Sequence, residues 1–119
     1  LLIGIGGGLG AVARYAVNHV TVTQLGSSLA GTFIANISGT FLLGLLVGLI
    51  SSNPGWAPEI RLFLAVGFLA SYTTFSTLSV ATIQSLEKGD LLAALVNLVS
   101  SVLVGLVAAI VGMMLGRAI

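Results

Sequence analysis

The amino-acid sequence predicts an all-α integral membrane protein, a single domain over residues 1–119 with four transmembrane helices, the third of them broken. Three observations carry this. Of the 119 residues, 57% are hydrophobic and 6% charged, against about 25% charged in an ordinary soluble domain. The seven charges, Arg14, Arg61, Lys88 and Arg117 against Glu59, Glu87 and Asp90, leave 15–58, 62–86 and 91–116 uncharged. A span needs about 20 apolar residues, so the last two runs hold one span each and the first holds two less a turn. Third, residues 70–79 carry six Ser or Thr inside an otherwise apolar run.

The first helix is expected at about 1–20. It is rich in glycine, and Gly4/Gly8 and Gly6/Gly10 both read as G-x-x-x-G, a spacing that lets membrane helices approach closely. Arg14, Tyr15 and His19 read as anchors at its far end, followed by a polar turn over 21–28. The second helix is expected at about 29–51. Its Thr32, Asn36 and Thr40 are four apart and share one face. The loop 52–60 holds two prolines, Glu59 and Trp56, an interface anchor. The third helix is expected at about 61–86. Ser and Thr compete for backbone hydrogen bonds and lower helix propensity, so the block Ala70-Ser71-Tyr72-Thr73-Thr74-Phe75-Ser76-Thr77-Leu78-Ser79 predicts a break near the bilayer midplane. Broken helices at that depth persist only where protein or water covers the freed backbone groups, and they commonly mark ion sites. A charged turn, 87–90, leads to the fourth helix at about 91–117, where Asn97 and Ser101 lie one turn apart.

Several functions are excluded on composition. The absence of cysteine removes disulfides and thiol chemistry. A net charge of +1 gives no footprint for nucleic acid. No P-loop is present. The glycine run Gly4-Ile5-Gly6-Gly7-Gly8-Leu9-Gly10 misses a dinucleotide fingerprint at Leu9 and follows no strand. No cleavable signal is expected, because the glycine-rich opening continues directly into the first helix. With four spans, Arg61 and Arg117 lie on one side and Arg14 and Lys88 on the other, so positive charge sets no orientation. Such a chain can insert both ways and pair as an antiparallel dimer.

No span holds a carboxylate or lysine away from its ends, so proton-coupled transport lacks its usual carrier. The remaining polar groups are neutral. Asn amides and hydroxyls offer donors to an anion, an aromatic edge adds a weak positive field, and an unwound helix offers carbonyls to a small cation. Each of these groups also has a plain packing reading. Single Ser and Thr residues often bond back to their own helix, Asn36 could bind helices together, and Phe75 alone would be packing. Six hydroxyls in ten residues exceed what helix packing calls for.

Three blocks carry a resemblance. Gly7-Gly8-Leu9-Gly10-Ala11-Val12-Ala13-Arg14-Tyr15 resembles the glycine-rich opening of the Fluc/CrcB family of fluoride channels, which ends G-A-x-x-R-Y. Gly31-Thr32-Phe33-Ile34-Ala35-Asn36-Ile37-Ser38-Gly39-Thr40-Phe41-Leu42-Leu43-Gly44 resembles its G-T-x-x-x-N-x-x-G-x-F-x-x-G helix. Gly67-Phe68 with Thr73-Thr74-Phe75-Ser76-Thr77 resembles its G-F-x-G-G-x-T-T-F-S-T-F block. The resemblance implies an antiparallel dual-topology dimer in the plasma membrane, multi-pass, that lets fluoride leave the cytoplasm passively and relieves its toxicity. It implies a pathway through Asn36, Phe75, Ser76 and Thr77, with Asn97 and Ser101 on a polar track of the fourth helix. It also implies a structural sodium ion between subunits, not transported, facing the backbone carbonyls of Ala70 and Thr73. The partner would be a second copy or a paralogous subunit.

The chain departs from the family pattern twice. Leu78 stands where the family has a second phenylalanine, and a Phe there is expected to be tolerated. Ala70-Ser71 replaces a glycine pair, which keeps the carbonyls but loses conformational freedom. Two alternatives stay open: a small non-conducting helical subunit that assembles with another membrane protein, and a small multidrug exporter, which would lack its membrane carboxylate.

Overall fold

The computed structural model describes residues 1–119 as helices joined by short turns, with no strand. Helix α1 covers Leu2–Leu25 and α2 covers Ser28–Ser52. Helix α3 is built of Pro58–Arg61, a π-type stretch Leu62–Leu69 and a last turn Ala70–Tyr72. Helix α4 is Phe75–Glu87 and α5 is Leu91–Ala118. Three stretches, Ser28–Ser52, Pro58–Glu87 and Leu91–Ala118, are long and apolar enough to cross a membrane. The molecule is 51 Å long, enough for a bilayer of about 40–45 Å with its headgroups. Only 21 of 119 residues are buried, and large aliphatic side chains cover the outside. That surface suits hydrocarbon, where exposed apolar groups cost nothing.

Local chemistry sets the ends. The Ser27 hydroxyl accepts from the Ala30 N–H (3.3 Å) to start α2, and the Asp90 carboxylate accepts from the Ala93 N–H (3.0 Å) to start α5. Pro58 opens α3, where its missing N–H costs nothing. Helix α1 passes through the expected polar turn and stops at Gly26, whose φ of 71° closes a left-handed cap. The hydroxyls of Thr21 and Thr23 donate to carbonyls in the preceding turn, Val17 for one and His19 and Val20 for the other. These residues therefore read as polar but leave the helix unbroken.

The helices pair without side chains between them. Helix α1 lies along α3, and a Cβ on Gly10 would overlap the Phe68 carbonyl. Helix α2 lies along α5, where a Cβ on Gly112 would overlap the Phe41 carbonyl. Contacts advance in the same direction along both partners, so each pair is parallel. In lipid such close approach is the main source of helix association, since apolar side chains gain little from leaving hydrocarbon.

Candidate functional site

The helical path ends at Thr73, with φ −85° and ψ 155°, and resumes after Thr74, with φ −152° and ψ 117°. Both residues are extended. In a continuous helix the Thr74 N–H would donate to the Ala70 carbonyl and the Thr77 N–H to the Thr73 carbonyl. Instead the Thr74 N–H donates to Asn36 Oδ1 at 2.7 Å, and Asn36 Nδ2 donates back to the Thr74 carbonyl at 3.0 Å. The Thr77 N–H donates to Thr74 Oγ1 at 3.2 Å, which caps α4. The Thr73 carbonyl receives no main-chain hydrogen bond. A second tie lies two residues before Thr74, where the hydroxyls of Ser38 and Tyr72 meet at 2.9 Å.

The break opens onto a polar cleft of about 330 Å³. Arg14 and Asn18 from α1, Thr32 from α2, Thr74 at the break and Thr77 from α4 line it. None of the three carboxylates of the chain shares the cleft with Arg14. A further hollow of about 290 Å³ continues along α4 past Ser76 and Thr77 to Gln84. Hydroxyls connect the first turn of α4: Thr74 Oγ1 lies 3.2 Å from Ser76 Oγ and donates to Thr77 Oγ1 at 3.1 Å.

The structure joins Asn36, Ser76 and Thr77 around the break through Thr74. Asn97 and Ser101 lie apart from this group. Both are buried on α5, each 9% exposed, and Asn97 Nδ2 and Ser101 Oγ have no hydrogen-bond partner. An orphaned buried donor carries a cost of about 1–3 kcal/mol, and neither residue lines the polar cleft at the break. Phe75 is 78% exposed on the single chain. Leu78 faces inward and is buried, so a Phe there would have to be packed, against the expectation that it is simply tolerated.

Arg14 was expected as an anchor near a helix end. Because α1 continues to Leu25, it sits mid-helix and half-buried, facing the cleft. Asn18, with a buried Oδ1 that has no partner, joins it there. Sequence reasoning missed Asn18 and the role of the Thr74 peptide. Asn18 follows Arg14 by one turn, and that spacing was the available signal.

Residues 1–113 match the family model described as CrcB-like protein, Camphor Resistance (CrcB). The chain belongs to the CrcB family. Among its CrcB relatives, a protein of Dehalococcoides mccartyi named Fluoride-specific ion channel FluC is 41% identical over 117 residues, covering 98% of this chain and 90% of the relative. One of Rhizobium meliloti with the same name is 40% identical over 119 residues, covering 99% and 95%. Fluoride-specific ion channel FluC 1 of Symbiobacterium thermophilum is 43% identical over 118 residues, covering 98% and 95%. These CrcB relatives carry the names of ion channels, not of enzymes.

Proposed function

We propose that this chain is a subunit of a passive fluoride channel that lets the ion leave the cytoplasm across the plasma membrane. The carrying observation is the cleft at the break, which combines neutral donors and an arginine with no acid. Taking an ion into a medium of low dielectric costs of order 20 kcal/mol in the Born limit. One hydrogen bond to a charged group returns about 1.5–3 kcal/mol, so a relay of donors is required. The free hydrogen of Asn36 Nδ2, the hydroxyls of Ser76 and Thr77, and the unpartnered Asn97 Nδ2 and Ser101 Oγ supply it. The edge of Phe75 adds to the same field. Arg14 gathers anions in the cleft itself, since a fixed positive charge in a cleft raises the local anion concentration.

The working unit is an antiparallel dual-topology dimer of four-helix subunits, formed with a second copy or a paralogous chain. The bare Phe75 beside the break supports this, and with Arg14 facing the cleft only three basic residues, Arg61, Arg117 and Lys88, remain near helix ends to set an orientation. C-terminal tags on both sides of the membrane would agree; a single orientation without a partner of opposite topology would refute it. A structural sodium ion suits the carbonyls of Ala70 and Thr73. The donor set fits a small hard cation, because Thr73 O is unbonded and Ala70 O has lost its usual helical donor. Two carbonyls from each subunit would make the set, and the bound cation would supply fixed positive charge at the centre.

Purified protein in liposomes, read by a fluoride electrode under a potassium/valinomycin potential, tests the reading. Release without a proton gradient is expected. Efflux that demanded a proton gradient would overturn it, and no efflux would favour a non-conducting subunit.

A further inference from the structure

We propose that Asn36 is a positioning residue for the break: its amide diverts the Thr74 N–H and thereby keeps the carbonyls of residues 70 and 73 open to a cation. This rests on the cation reading above and goes beyond a pore-donor role for Asn36.

The geometry is that of two paired strands compressed into one side chain. An extended residue presents its N–H and C=O to the same side, and two such residues in antiparallel strands exchange both bonds. Thr74 is extended, and Asn36 answers it with an acceptor at 2.7 Å and a donor at 3.0 Å. The reverse orientation of the amide would set N–H against N–H and oxygen against oxygen, so the bonding fixes its assignment. Asn is the residue type this needs. Asp lacks the donor, Leu lacks both groups, and Gln sits one methylene too far out.

The alternative state is a continued helix. Without Asn36 the Thr74 N–H has one competent acceptor along its own chain, the Ala70 carbonyl. At membrane depth an unpaired N–H costs several kcal/mol, which drives it back to that carbonyl. The cation would then lose a ligand although no cation-facing residue had changed. One Nδ2 hydrogen is committed to Thr74 and the other remains for an anion, so a single amide joins the anion side of the site to the cation side.

The test uses infrared spectra of purified protein with a ¹³C=¹⁸O label placed by semisynthesis at the Ala70 or Thr73 carbonyl. Sodium is exchanged for N-methylglucamine, and fluoride efflux is measured in parallel. In the parent, both labelled bands are expected to shift on exchange. In Asn36→Leu the sodium-dependent shift should vanish and the Ala70 band should take the position of an ordinary helical carbonyl. A sodium-dependent shift in Asn36→Leu equal to the parent's would overturn the proposal. A parent whose bands ignore sodium would overturn the cation reading and the proposal with it. A parent that shows the shift but carries no fluoride would refute the channel reading alone. Should Asn36→Leu fail to fold, the parent still decides: a helix-bonded Ala70 carbonyl in sodium-free buffer contradicts the diverted N–H.

Discussion

Gly112→Ala and Gly105→Ala make the same chemical change seven residues apart on α5, and the structure gives them opposite signs. A Cβ at Gly112 would fall on the Phe41 carbonyl of α2, with the Leu45 N–H at 2.9 Å. Backbone cannot rotate away as a side chain can, so the helices must separate. Overpacking of this kind costs about 1–3 kcal/mol. A Cβ at Gly105 meets only Ile37 Cδ1 at 3.8 Å, an ordinary contact. Ala there should stabilise by about 0.5–1 kcal/mol through helix propensity. The propensity gain is common to both positions, so the two variants should differ by roughly 1–3 kcal/mol, the overpacking cost alone. Reversible unfolding in mixed micelles, followed by circular dichroism, measures both. Fluoride efflux should fall in Gly112→Ala, because α2 carries Asn36 while α5 carries Asn97 and Ser101. Equal stabilities for the two variants would show that α2 and α5 do not meet backbone to backbone.

Phe75→Ile should cut fluoride flux at least about tenfold, equivalent to about 1.4 kcal/mol in the barrier. The chain should still fold normally because Phe75 is exposed on it; unchanged flux would make Phe75 mere packing. Leu78→Phe should lower the unfolding free energy by about 1–3 kcal/mol, since Leu78 is buried; an unchanged denaturation midpoint would refute this. Arg14→Gln should reduce flux most at low ionic strength, where the Debye length is longest. A loss independent of salt would assign Arg14 a packing role.

What the sequence revealed follows how local each cause is. The uncharged runs placed α2 and α5 within a residue or so, because charges at membrane depth are costly and rare. The break was legible in its Ser/Thr density. Its exact position at 73–74 was not, because the group that holds it open is Asn36, 38 residues away. The end of α1 was misplaced because Thr21 and Thr23 look like turn residues, while their hydroxyls are spent on their own helix. That misplacement hid Arg14 from the cleft. Asn97 and Ser101 were visible as a polar pair, but that both are buried without partners depends on how α5 packs.

The π-type stretch Leu62–Leu69 gives the third helix a fixed phase. Each of its turns closes on the fifth residue rather than the fourth, so the stretch behaves like an inserted residue absorbed within the membrane. One residue of an α-helix turns through about 100°. A further residue gained between 62 and 69, beyond the one the stretch already absorbs, would rotate everything after it by about that angle against the glycine face of α1. Thr74 would then point away from Asn36. The loop 53–57 can absorb a change of length without that penalty, since it lies ahead of the contact between α1 and α3. Among relatives of this chain, differences in length should collect in that loop and avoid the apolar octet that follows, even though the octet contains no side chain with a chemical role.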